Sequence, residues 1–205
     1  PKPSSAASDV YKRQPVWTLL GEENYKIESL AFTASASHLR LFSTSGGSIV
    51  SEHFLPSSLT GQQAADTRTP TRTLSSHGGA IWSMAASPTG KFLAIGCEDG
   101  VVRLIDVAGD AFEHVGTGMH VAPRMTRVAS RILSLAWGPP RRQMATSNDS
   151  DDDDDEAWRD TYLLGGLGNS TAAVWDVPTG QLKSRLTVLK LSLIHISEPT
   201  RRRGI

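Results

Sequence analysis

His77 and Asp99 are an imidazole and a carboxylate, types that could do acid–base chemistry together wherever a fold brings them into contact. Such a pair catalyses only beside a nucleophile, and none of suitable spacing accompanies it. The single cysteine, Cys97, alternates with Ile95 in an apolar run and reads as a small core residue. The five other histidines are scattered, with no cysteine partners and no i, i+4 pair, which is not zinc-ligand spacing. The glycines of LLGGLGN lack both a Gly-Lys-Ser/Thr sequence and a following helical pattern, so they do not read as a phosphate cradle. Asp151 to Glu156 is an unbroken acidic run, but it has no glycine-turned loop with a closing Glu to hold calcium. No catalytic residue, cofactor-binding residue or metal ligand is expected, and the chain is not expected to be an enzyme or to take a small-molecule substrate.

The elements that carry these residues belong to a globular chain. Its 205 residues suit one domain with tails, and 39% hydrophobic content is enough to bury a core. The 18 glycines and 11 prolines imply many turns. One cysteine excludes an internal disulfide framework and fits a reducing compartment. No apolar run approaches the roughly 18 residues of a membrane span, so no membrane partner is expected.

Both ends read as foreign to the rest. DVYKRQ, at residues 9–14, can be encoded by GATGTGTATAAGAGACAG, and the reverse complement of that word encodes LSLIHI, which stands at residues 191–196. Two unrelated protein segments have no reason to share one DNA word on opposite strands. The pair resembles a transposon-end sequencing adapter, so residues 1–14 and 191–205 are expected to be adapter-derived rather than native. The remainder has no initiating Met and is expected to be an internal fragment. Residues 15–190 hold 15 basic and 19 acidic side chains, and eight of the acids fall between Asp149 and Asp160. Outside that run the body is mildly basic, a weak pointer to nucleic-acid company.

Three segments repeat the pattern Ile-x-Ser-(Leu/Met)-Ala: IESLAF at 27–32, IWSMAA at 81–86 and ILSLAW at 132–137. The alternation has period two and predicts a half-buried strand each time. A second apolar strand follows each one (LRLFS, KFLAIGC, TYLLGG), then a glycine-containing turn, then a third strand (SIVSEHF, VVRLIDV, TAAVWDV). WTLLG, AFEHVG and LKSRLTV are candidates for a fourth strand. Pro88 and Gly90 suit a turn, and Asp99-Gly100 between apolar strands is a strong hairpin signal. Three- or four-stranded units recurring at 54 and 51 residues predict an all-β chain of about three propeller blades, forming an incomplete ring within residues 15–190.

The middle unit, HGGAIWSMAASPTGKFLAIGCEDGVVRLID, resembles a WD repeat. The third unit closes on the Trp175-Asp176 that names such repeats; the second closes on Ile105-Asp106, and the first departs with Glu52-His53-Phe54. The resemblance implies structural roles for His77, Asp99, Gly100, Asp106, Trp175 and Asp176. It places His77 and Asp99 as a buried hydrogen-bonded pair, worth about 1.5–3 kcal/mol if charge-assisted. Ile95 and Ile105 occupy the positions that would complete the usual tetrad.

GGAIWS and AIGCEDG, with IESLAF, LRLFSTSGGSIV and RILSLAW, narrow the match: the chain is similar to the cirhin family, WD-repeat subunits of the nucleolar small-subunit processome. The resemblance implies a scaffold supporting pre-rRNA processing and small-subunit biogenesis. It also implies a nuclear, nucleolar location, other processome proteins as partners, and association with pre-rRNA and the U3 snoRNP, directly or through partners. A WD-repeat adaptor in another complex, such as a ubiquitin-ligase substrate receptor, is the alternative.

The loops complete the reading. Residues 147–160 are an insertion relative to the SPTGK turn, expected to be solvated and disordered because adjacent carboxylates repel. Such a run could also meet basic partners. GQQAADTRTPTRTLSS is expected to be an exposed loop whose Arg68 and Arg72 could touch phosphates, with Thr69 a possible phosphorylation site. Arg124, Arg127 and Arg131, with Arg141 and Arg142, could form a basic patch.

Overall fold

The computed structural model describes residues 17–19, 26–34, 39–55, 66–68, 70–115, 124–142 and 158–187. Both adapter-like ends, Thr69 and the acidic run Asp151 to Glu156 lie outside the described residues. In chain order the strands are β1 (Trp17–Leu19), β2 (Ser29–Ala34), β3 (Leu39–Thr44), β4 (Ile49–Leu55), β5 (Asp66–Arg68), β6 (Arg72–Ser75), β7 (Ile81–Ala86) and β8 (Phe92–Cys97). They continue as β9 (Val102–Asp106), β10 (Glu113–His114), β11 (Ile132–Trp137), β12 (Arg141–Arg142), β13 (Trp158–Arg159), β14 (Tyr162–Leu167), β15 (Thr171–Asp176) and β16 (Gln181–Thr187). The described residues are all-β and contain three four-stranded antiparallel sheets: β2-β3-β4-β6, then β7-β8-β9-β10, then β11-β14-β15-β16. They form a partial propeller with no closed ring.

Alternation within the strands explains how the sheets stack. Leu93, Ile95, Cys97 and Ile105 of the second sheet pack with Ala31, Phe42 and Val50 of the first. The intervening Ala94, Val102 and Leu104 pack with Ile132, Leu163, Ala173 and Trp175 of the third. A strand covered on both faces must be apolar throughout, and from Leu93 to Cys97 every residue is buried. The first strands of successive sheets lie together, β7 against β2 and β3, and β11 against β7 and β8. Their repeated serine bridges the sheets: Ser29 Oγ donates to the Met84 carbonyl at 3.3 Å, and Ser83 Oγ to the Ile132 carbonyl at 3.1 Å. Trp137 adds an indole N–H to the Ala85 carbonyl at 2.9 Å. Glycine opposite the serine makes the room, since a Cβ on Gly96 would sit 2.4 Å from Ser83 Oγ, and one on Gly166 2.5 Å from Ser134 Oγ.

Two expectations need correction. WTLLG does not supply the outer strand of the first sheet: β1 pairs in parallel with β5, and the outer strand is β6, drawn from the stretch expected to be a loop. An outer strand needs only one lightly covered face, and Leu74 is the sole apolar residue of RTLS, so its period-two signal is weak. The second correction concerns residues 158–160, the end of the expected disordered insertion. They are part of the fold, with β13 paired to β12 and Asp160 buried, accepting hydrogen bonds from the Thr89 hydroxyl and from the Thr89 N–H at 3.4 Å.

Arg40 clamps the first sheet to the second. Its fully buried guanidinium donates to Glu52 at 2.5 Å and to the carbonyls of Val107, Gly109 and Ala111 at 2.6–2.7 Å. Glu52, equally buried, also accepts from Arg72 at 2.5 Å, and Arg72 lies over the Phe54 and Phe112 rings. Arg72 is therefore committed to this cluster rather than free for phosphate. Replacing Arg40 with Leu leaves three carbonyls without this donor and half of Glu52 uncompensated, so Arg40→Leu should cost about 3–5 kcal/mol in urea denaturation. Arg40→Leu combined with Glu52→Leu should cost less than the sum of the two single changes. A loss below about 1 kcal/mol for Arg40→Leu, the range of a surface pair, would count against the clamp.

Candidate functional site

Asp99 and Gly100 form the turn between β8 and β9, and the chain approaches that turn from two sides. Gly100 has φ +76°, a region costly to residues with a Cβ. Added there, a Cβ would meet the Val128 carbonyl oxygen at 2.2 Å. The Val128 N–H in turn donates to the Gly100 carbonyl at 2.9 Å, so the turn docks directly on the segment leading to β11.

The expected His77–Asp99 pair is not formed. His77 is exposed, at φ +52°, with its ring 5.4 Å from that of His114. Arg103 takes the carboxylate instead, through Nη1 at 3.0 Å and Nη2 at 2.7 Å, while Nη2 also reaches the His77 carbonyl at 3.2 Å. A two-pronged guanidinium binds a carboxylate better than one imidazole N–H does, and it fills the space over Gly78, where a Cβ would lie 2.2 Å from Arg103 Nη1. Burial pushes the Asp99 carboxyl upward, but hydrogen bonds from Arg103 and the Val101 N–H, with the charges of Arg103 and Arg127, outweigh it and hold the group below its usual 3.8.

The closing residues cap and fill. Asp106 accepts the Ala108 N–H at 2.9 Å, and Asp176 accepts the Thr179 hydroxyl, so each closes the turn after its strand. Trp175 is fully buried with its indole N–H on the Thr126 carbonyl at 2.9 Å. A Cβ on Gly165 would lie 2.8 Å from its ring, which explains the glycine. Cys97 is buried, and burial raises its thiol pKa to about 11, so it is protonated at neutral pH.

Beside the Asp99-Gly100 turn opens a cleft of about 380 Å³, lined by Glu98, Asp99, Arg127, Val128, Ala129, Ser130 and Arg185. Arg127 Nε donates to the Asp99 carbonyl at 2.8 Å. Glu98 accepts the Trp82 indole N–H, and Arg131 lies 5.0 Å from the centre of the Trp82 ring. Arg127 and Arg131 thus share this end of the sheets, whereas Arg141 stacks on Tyr162 elsewhere. Sequence reasoning missed Arg40, Glu52, Arg103, Asp160 and Arg185. Only Arg40 carried a signal, because its alternation with Phe42 puts a charge in core register.

Residues 68–106 match the family model described as "WD domain, G-beta repeat". The chain is 42% identical to the U3 small nucleolar RNA-associated protein 4 homolog of Mus musculus over 76 residues, 37% of this chain and 10% of that protein. It is 30% identical to U3 small nucleolar RNA-associated protein 4 of Schizosaccharomyces pombe over 173 residues, 83% of this chain and 19% of that protein. For the Saccharomyces cerevisiae protein of the same name the figures are 27% over 156 residues, 76% and 16%. The chain carries a WD40 repeat and shares homology with U3 small nucleolar RNA-associated protein 4. It spans between a tenth and a fifth of the length of these relatives. The WD40 match begins in β5, takes in β6 of the first sheet and ends at the close of β9 in the second, so one sequence repeat straddles two sheets.

Two glycine changes in this WD40 unit, one in the β7–β8 turn and one in the β8–β9 turn, isolate the Val128 contact, and a third change tests the Arg103 pairing. Gly90 has φ +71° with no atom within 4 Å of an added Cβ, so Gly90→Ala should cost about 1 kcal/mol from backbone strain alone. Gly100→Ala adds a backbone collision and should cost distinctly more in urea denaturation; equal losses would show that the Val128 contact is unimportant. Asp99, depressed in the folded state, contributes stability above the usual carboxylate range and loses it as the pH falls below. Its side chain is 31% exposed, so the effect should stay below about 1 kcal/mol. Asp99→Asn should be less stable than the parent at neutral pH, with the two denaturation midpoints converging in acid; parallel curves would contradict the Arg103 pairing.

Proposed function

We propose that this chain belongs to a non-catalytic scaffold of the small-subunit processome. In the nucleolus that scaffold supports pre-rRNA processing and small ribosomal subunit biogenesis, in company with other processome proteins and the U3 snoRNP. The observation that carries the reading is the alignment across 83% of the chain with a protein whose name records association with U3 small nucleolar RNA. Similarity to relatives of the same name from Mus musculus and Saccharomyces cerevisiae supports it. The geometry is consistent with a scaffold. Asp106, Asp176 and Trp175 are engaged in capping turns and filling the core, and Asp99 is held by Arg103. Stacked sheets of this kind hold their connecting turns in fixed relative positions, which suits simultaneous contact with several partners.

The test is to tag the full chain in cells, recover it under native conditions and measure co-purifying RNA. U3 RNA and pre-rRNA should both be enriched over a control WD-repeat protein. Absence of both, with ubiquitin-ligase subunits in their place, would leave the fold standing and overturn the function.

A further inference from the structure

We propose that the outer face of the third sheet docks on the β2 strip of the first sheet in a second copy of this chain, and that two copies close head to tail into one ring. The inference goes beyond the scaffold reading and does not depend on it. A sheet with water on one side alternates apolar and polar residues, whereas β14 and β15 are largely apolar on both faces, as β8 is. Leu164 pairs with Ala136 and Val174 as Ala94 pairs with Ala85 and Leu104. Ala94 and Leu104 are buried against the third sheet, but Leu164, at the matching place, is 41% exposed. The serines repeat the pattern. Ser29 and Ser83 each donate to a main-chain carbonyl of the following sheet. Ser134, third in that series and facing its own small partner Gly166, is exposed and makes no hydrogen bond among the described residues.

The first sheet offers the complement. Leu30 and Phe32 are the fourth and sixth residues of the repeated strand, where the second sheet has Met84 and Ala86. Met84 is 7% exposed and packs against the first sheet with Ala86 beside it, whereas Leu30 and Phe32 are 56% and 55% exposed. Leu41 and His53, farther out on that face, are already buried, so its open part is the strip along β2. Within the chain first strand meets first strand at each junction, β7 on β2 and β11 on β7. The two open faces are therefore the two halves of an interface that the chain already makes twice. A second copy supplies both complements at once. Three sheets from each copy make six, within the range of about four to eight from which such rings close. A contact between unlike faces stays finite only when it closes in this way.

The experiment is sedimentation velocity on the full chain over a wide range of concentration. The expected species is a dimer that dissociates on dilution, with nothing larger. Leu164→Glu, and separately Leu30→Lys with Phe32→Lys, should each weaken self-association more than about tenfold, because each buries a charge without a partner. Circular dichroism of each variant should match that of the parent, since the altered side chains are exposed in one copy. Mixed together, the two variants should form a one-to-one dimer: one junction is intact and the other sets glutamate against lysine. A chain that is monomeric at every concentration would overturn the proposal, as would species that keep growing with concentration. So would a Leu30→Lys, Phe32→Lys variant that still dimerises through like faces, or folded variants that form no dimer when mixed.

Discussion

The second sheet has a neighbour on each side, and the rest of the structure is arranged around that constraint. Each strand of this sheet must serve two interfaces, which alternation allows: Leu93 and Ile95 face the first sheet while Ala94 faces the third. Burying side chains of this size stabilises by about 1.5–3 kcal/mol each, and both interfaces draw on the same few strands. Close approach also sets the small positions. Ser83 can reach the Ile132 carbonyl because its cross-strand partner is Gly96. The same Ser–Gly pairing recurs at Ser134 and Gly166, on a third sheet that leaves Leu133, Leu164 and Leu186 exposed.

The two interfaces are held differently. Between the second and third sheets an apolar cluster, with Trp175 as its largest member, is joined by neutral-donor hydrogen bonds from Ser83, Trp137 and Thr89. Between the first and second, Phe42 and Val50 are joined by a buried ionic cluster in which Glu52 bridges Arg40 and Arg72. Buried ion pairs add little net stability over well-packed apolar groups, but breaking one is costly, so such a cluster restricts geometry more than it strengthens packing. Arg40 also ties three loop carbonyls, at Val107, Gly109 and Ala111, to the first sheet, so the segment after β9 is positioned from the neighbouring sheet as well as by its own strand.

The turns inherit their positions from these interfaces. Asp99-Gly100 is set by a close backbone contact with Val128, and this brings residues of two sheets to one cleft: Glu98 and Asp99 from the second, Arg185 from the third. The WD40 unit straddling β6 to β9 has a related effect, since the chain leaves one sheet only after contributing its outer strand and enters the next as its first. A change in how the sheets pack would therefore reach the cleft without altering any residue in it.

Much of the architecture was legible because it rests on local periodicity. The three Ile-x-Ser strands, their second and third partners and the Asp-Gly and Pro-x-Gly turns follow from alternation and backbone preference, which act within a few residues. Strand β6 escaped because an outer strand with one apolar residue carries little alternation. The roles of the charged residues could not be read locally. His77 and Asp99 looked like partners by their place in the repeat, yet Arg103 reaches the carboxylate first; Glu52 looked like a departure from the repeat and is the centre of a buried cluster. Arg127 and Arg185 are distant in sequence and line one cleft only because the third sheet packs on the second. Strand and turn were thus determined by the sequence itself, through short-range backbone and hydrophobic preferences. Which charges meet, and which are left facing an opening, was decided only by the packing of one sheet on another, because electrostatic partners are chosen by distance in space.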